Sequence, residues 1–272
     1  MKFLITRIAE DAGDKTKLSV KDFYAFCPIN DSEFVRRVLQ EYGAIYSSVA
    51  MGHLPKRCYF ANAGEVENFQ RVLKVSRSSM DGAEIVLDAA AMKSLLNARA
   101  EAERLNLKLT PLDGSIAATR SFYDTVRLWN ARVLPALRSW TATGRISQQD
   151  ADAIVESALI PQVEKVIKLE RDGLCFAPDR RRSIFTSAAP PGTSQHLLML
   201  AFDIVQHGDR RVVAILNRHG WYQTILGDPA HFTFLGEEER ELPARGLRFL
   251  YSGNHAYWVP NLASNPSCRS ND

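Results

Sequence analysis

The 272-residue sequence predicts an α+β protein, an antiparallel sheet with helices packed on it, and three observations lead there. Apolar residues recur at steps of three and four along the stretch from Leu87 to Leu105, the stripe of an amphipathic helix, and two capping signatures follow it. Short apolar segments near the end of the chain are joined by tight turns, as neighbouring antiparallel strands are. Between these lies Leu197 to Val205, a nearly continuous apolar run that suits a buried strand.

Taken in order, Ser32 to Tyr42 reads as a helix with Phe34, Val35, Val38 and Leu39 on its apolar side, and Gly43 is placed to stop it. Val66 to Val75 reads as a second, shorter helix. The Leu87, Ala91, Leu95, Ala98, Ala102, Leu105 stripe is the third. Leu107-Lys108-Leu109-Thr110 alternates as a short strand. After a loop at Gly114, Ser121 and Asp124 form a capping box for a helix through Phe122, Val126, Trp129, Val133 and Leu137. Ser147 and Asp150 repeat that signature ahead of a helical stretch to about Leu169, with Pro161 expected to break it. Pro190-Pro191-Gly192 punctuates the chain. Asp209 to His219 reads as a helix capped by Asp209 and ended by Gly220. Trp221 to Ile225 and His231 to Leu235 are expected strands around a turn at Gly227-Asp228-Pro229. Leu247 to Tyr251 and Ala256 to Val259 are expected as a hairpin around Gly253-Asn254.

Composition narrows the function classes. Apolar residues make up 46% and charged residues 24%, ordinary for a soluble globular enzyme. The 34 basic and 31 acidic residues leave a net charge of +3, too small to argue for a nucleic-acid partner. No apolar run is long enough to span a bilayer. The opening Met1 to Arg7 is too short for a signal-peptide core, so the expectation is a cytosolic chain or a mature form whose leader is absent. Cys27, Cys58, Cys175 and Cys268 show no CxxC spacing, which argues against a cysteine zinc site. Cys27 and Cys58 either pair in an oxidising compartment or stay free. Oligomeric state is not legible.

The chemistry centres on an acid inside an apolar run. Asp203, buried unpaired, would cost several kcal/mol, so it needs a cation, a hydrogen-bond donor or a metal. His196 precedes it and His231 follows on a separate expected strand. These are three residue types suited to zinc, and zinc hydrolases commonly use three protein ligands with the fourth position left for water. Asp228, three residues before His231, is a carboxylate that can act as a general base; equally, Asp228-Pro229 is an ordinary turn dipeptide. His53, His207 and His255 stand in loop-like polar surroundings, and His219 suits a helix C-terminus.

The segment from Ser194 to Asp203 resembles the S-x-H-x-x-G-x-A-x-D motif of the VanY-type D-alanyl-D-alanine carboxypeptidases. Gly220-Trp221 followed by Asp228-Pro229-Ala230-His231-Phe232 resembles that family's second motif, and Thr119-Arg120-Ser121 resembles its S-G-Y-R-S segment. The similarity spans roughly residues 84–260. It implies the fold shared by D-Ala-D-Ala peptidases and hedgehog domains, with a Zn2+ ion held by His196, Asp203 and His231. It also implies Asp228 as the base, Arg120 as the group that holds a substrate carbonyl or carboxylate, and Ser194 as an aid to substrate binding. The implied reaction is hydrolysis of a peptide bond in peptidoglycan stem peptides, which favours a periplasmic or secreted location. An endopeptidase on the same fold and a non-catalytic zinc-bearing module are the alternatives. Two positions depart from the pattern: Met199 stands where the family has glycine, and Asp228 where it often has glutamate. The expected division is an N-terminal region, 1–83, without assigned chemistry, and a metallopeptidase domain, 84–272.

Overall fold

The computed structural model describes residues 26–28, 32–262 and 268. Helix α1 (Glu33–Tyr42) starts at Ser32, whose hydroxyl accepts from the Val35 amide. Gly43 ends it without a left-handed cap, because its φ is −71° and the chain tightens into a 3-10 turn, Gly43–Ser47. What the glycine provides is room: a Cβ there would stand 2.8 Å from a Leu39 methyl. Helix α2 is Ala63–Val72, capped by Asn62. Val75 belongs to the next element, strand β1 (Val75–Met80), which pairs antiparallel with β2 (Ala83–Asp88). Leu87 therefore packs from a strand, and the helical stripe begins two residues later in α3 (Ala89–Arg104).

Residues 107–110 are extended but form no strand of their own. They run beside the later strand β3 with one isolated bridge, Pro111 to Ile204. The Ser121–Asp124 capping box is present and opens α4 (Phe122–Ala142). Helix α5 (Gln148–Val155) starts at Ser147, and α6 (Leu159–Arg171) follows. The break between them falls at residues 156–158, upstream of Pro161, which sits in the first turn of α6, where a missing N–H removes no helical bond.

The expected Leu197–Val205 strand is the largest departure. Gln195–Leu198 form a 3-10 turn, Met199 takes a left-handed conformation (φ 57°), and only Ala201–Asp203 form strand β3. The run is buried from Leu197 to Ile204 while Val205 is exposed, and the left-handed corner turns the chain before the strand can begin. Helix α7 (Arg210–Arg218) is capped by Asp209. Strands β4 (Trp221–Gln223) and β5 (His231–Phe234) pair antiparallel, and β5 lies between β3 and β4. Strands β6 (Leu247–Ser252) and β7 (His255–Pro260) form the closing hairpin. The single sheet expected is thus three small antiparallel sheets among the described residues, within an α+β fold.

Two large apolar cores, with a smaller third cluster around Tyr222, Leu247 and Trp258, hold these elements. One joins Phe34, Val38 and Leu39 of α1 to Trp129, Val133 and Val166 of α4 and α6. The other joins Met80, Ile85 and Leu95 to Phe202, Trp221 and Phe232. Both large cores draw residues from either side of position 83, and that division cuts β2 after its first residue. Gly192, at φ 79°, lets the Pro190–Gly192 loop press on the backbone of Phe60, whose carbonyl oxygen a Cβ would approach to 1.9 Å.

Cys27–Cys58 and Cys175–Cys268 are disulfides. The first resolves the open choice in the sequence; the second, across 93 residues, was not anticipated. Disulfides persist in oxidising compartments. Among the described residues no helix is long and apolar enough to cross a membrane.

A buried polar cluster fixes the segment after Cys175. Glu170 of α6 has no exposure, and its carboxylate accepts from the Phe176 amide (3.1 Å), the Ile184 amide (2.6 Å) and the Ser183 hydroxyl (2.5 Å). Burial wins over these donors and leaves its pKa above the ordinary range. Arg37 donates to Ser183 from the other side and lies over the Phe185 ring at 4.5 Å.

Candidate metal centre

Strand pairing brings two of the three predicted residues together. Asp203 at the end of β3 is the direct register partner of His231 at the start of β5, and side chains in such pairs are close neighbours. His196 reaches the same point from the 3-10 turn before Met199. His196 is fully buried, and His231 and Asp203 are 3% and 8% exposed.

Three donor atoms form a small triangle. His196 Nε2 lies 3.1 Å from His231 Nδ1 and 3.3 Å from Asp203 Oδ1, and His231 Nδ1 lies 3.0 Å from Asp203 Oδ1. The far nitrogen of each ring is committed. His196 Nδ1 is 3.1 Å from the Ala118 carbonyl, which can only accept, so that nitrogen carries the proton. His231 Nε2 is 2.9 Å from Gln195 Oε1 and is likewise the donor. Gln195 is held in that orientation because its Nε2 donates to the Tyr42 carbonyl (2.8 Å) and its Oε1 also accepts from the Thr233 hydroxyl.

The consequence is that His196 Nε2 turns a lone pair toward His231 Nδ1 and the carboxylate. Burial, with Arg120 nearby, lowers the His196 pKa to about 4, so the ring is neutral at physiological pH. Asp203 is held well below the usual carboxylate range: the neighbouring histidines overcome its burial. One shared proton on His231, or one divalent cation, satisfies the three atoms. In a tetrahedral zinc site with bonds of about 2.0–2.2 Å, neighbouring donors stand about 3.3–3.6 Å apart, so the triangle fits after small adjustment. The outward N–H bonds to Ala118 and Gln195 are the outer contacts that orient metal-binding imidazoles.

The other predicted residues gather around this triangle. Arg120, just ahead of α4, donates to Asp203 Oδ2 at 2.6 Å, leaving Oδ1 for the histidines. Its Nε is buried without a partner. Asp228 lies in the turn before β5, where its carbonyl accepts from the His231 amide. Burial, reinforced by Asp203, raises its pKa against the opposing pull of His231 and Arg120. Ser194 precedes the 3-10 turn without capping it by its side chain. All six line one cleft of about 200 Å³, together with Tyr42, Leu128, Arg132 and Phe185.

His219 caps α7 and meets Glu101 at 2.8 Å, in keeping with its expected helix end. His53 is exposed, whereas His207 and His255 are half-buried with ring centroids 5.9 Å apart, more enclosed than their polar sequence context implied. Sequence reasoning missed Gln195 and Arg132. Gln195 stands beside a ligand-type histidine at the head of an apolar run, and that placement is the signal the sequence offered.

No family model matches the chain, and no curated protein matches it. Among solved structures it is similar to a vancomycin-resistance D,D-pentapeptidase, VanY from a VanB-type resistance cassette, determined as a mutant in complex with Zn(II). The identity is 19%, the match covers 61% of this chain and 81% of that one, and the TM-score is 0.34.

Proposed function

We propose that the chain is a zinc peptidase acting on peptidoglycan stem peptides, with His196, Asp203 and His231 as its metal ligands. One observation carries this reading: three donor atoms of zinc-binding type converge within 3.3 Å of one another at a cleft. The motif resemblance supplies the substrate class. When bound, zinc contributes Lewis acidity and makes a hydroxide nucleophile available near pH 7.

The chain's own residues do the rest. Arg120 fixes Asp203 through Oδ2 and lines the cleft, where it holds a substrate carbonyl or carboxylate. Asp228, with its pKa raised by burial, takes the proton of the attacking water and returns it to the leaving amine. Ser194 contacts the bound peptide. Gln195 and Ala118 keep the imidazoles turned with their lone pairs inward. The two disulfides agree with a periplasmic or secreted setting, where this substrate lies.

The test begins with zinc titration of metal-free protein, expected to give one equivalent bound. The loaded protein is then incubated with a D-alanyl-D-alanine-terminated pentapeptide and with intact murein, and products are read by mass spectrometry. Release of D-alanine identifies a carboxypeptidase; internal cuts identify an endopeptidase. Failure to bind zinc, or to cut either substrate, ends the reading. Asp228→Asn should retain zinc and lose about 10²–10⁴-fold in kcat; an unchanged kcat would show that another group handles the proton.

Gln195→Ala should weaken zinc affinity about 10- to 100-fold, since it leaves His231 without its orienting acceptor. Competition with a chelator measures this, and an unaltered affinity would remove Gln195 from the metal's support.

A further inference from the structure

Helix α4 runs from Arg120 along the cleft, and Thr125, Leu128 and Arg132, spaced three and four apart, present one face to it. Thr125 is occupied: its hydroxyl donates to the Phe122 carbonyl at 2.6 Å and accepts from the Gly192 amide at 3.2 Å. Arg132 is not. Its Nε is buried without a partner, and among the described residues the guanidinium makes no hydrogen bond or ion pair. The two acids that line the cleft, Asp203 and Asp228, belong to the metal end, where Asp203 already pairs with Arg120.

The buried Nε of Arg132 carries a cost that a ligand entering the cleft to accept its N–H would relieve. A guanidinium presents parallel N–H bonds that match a carboxylate, and the pairing is strongest where water is partly excluded. The separation indicates where that carboxylate lies. Eleven helical steps from Ser121 to Arg132 span about 16 Å, and helical side chains lean back toward the N-terminus. At about 3.3 Å per extended residue, the anion falls roughly three to five residues from a bond placed at the histidine–aspartate triangle.

We propose that Arg132 is a specificity-determining residue that binds a free carboxylate of an acidic peptide substrate, three to five residues from the bond that is cut. This rests on the peptidase reading of the same cleft. It adds that the substrate is anionic at a second point, away from the metal.

The test uses peptides carrying one glutamate at successive positions, each against its glutamine counterpart, with the zinc-loaded protein. The wild type should prefer one glutamate peptide by about 10- to 100-fold, expressed in KM. Arg132→Gln should bring that ratio close to one, and Arg132→Lys should keep part of it. Zinc stoichiometry and melting temperature confirm that each variant is folded. Calorimetry with reduced-bond, uncleavable versions of the same pairs reads binding without turnover, in the presence and absence of zinc. A wild type that binds glutamate and glutamine peptides equally overturns the proposal, as does a preference that survives in Arg132→Gln. Selective binding that depends on Arg132 without any cleavage upholds Arg132 and sinks the peptidase reading. Cleavage with no acidic preference does the reverse.

Discussion

Asp203→Ala is expected to abolish zinc binding at micromolar metal and to lower kcat/KM by at least about 10³-fold. Loss of the metal forfeits several kcal/mol of charge stabilisation at the reacting carbonyl, and each 1.4 kcal/mol is about tenfold in rate. The substitution removes one corner of the donor triangle and the partner of Arg120 at once. The freed guanidinium then stands beside two imidazoles and repels any cation placed between them. His196→Ala removes a ligand while leaving the Arg120–Asp203 pair intact, so it separates lost ligation from electrostatic disturbance. Both variants are read by metal content after dialysis and by peptide turnover. Wild-type zinc content in Asp203→Ala would show that the metal sits elsewhere.

Glu170→Ala should cost about 3–5 kcal/mol of stability, a large share of the roughly 5–15 kcal/mol available to a folded domain. Three donors converge on this carboxylate in a site without exposure: the Phe176 and Ile184 amides and the Ser183 hydroxyl. Each buried donor left without an acceptor costs about 1–3 kcal/mol. Glu170→Gln keeps one acceptor oxygen, but turns an N–H toward groups that donate, so an intermediate loss is expected. Urea unfolding measures both. A drop under 1 kcal/mol for Glu170→Ala would mean that the loop finds other partners. Because Ile184 leads directly to Phe185 and the cleft residues Ser187, Ala188 and Ala189, the loss should also blur the cleft wall.

Much of this was legible because the relevant signals are local. Ser121, Ser147 and Asp209 announced helix starts through side-chain oxygens followed by amides in reach, and the structure uses all three. The two late hairpin-like pairs follow from turn residues between apolar segments. The convergence of His196, Asp203 and His231 was visible as polar residues that an apolar neighbourhood has to satisfy, ordered as in a known motif. What was not legible depends on distant parts of the chain. Composition cannot show that Met199 turns left-handed, which shortened the expected strand. Cys175 and Cys268 stand 93 positions apart, so no local pattern joins them. Arg132 reads as one more helical arginine until it is seen to line the cleft with its Nε buried and unpartnered.

Gln195 grips His231 on one side and the Tyr42 carbonyl on the other, and Tyr42 is the last residue of α1. The aim of one imidazole is therefore set by backbone more than 150 positions earlier. Trimming the protein to a shorter fragment that starts at residue 84 would retain His196, Asp203 and His231, yet leave the glutamine free to swivel. The beginning of the chain is part of the instrument that points the ring.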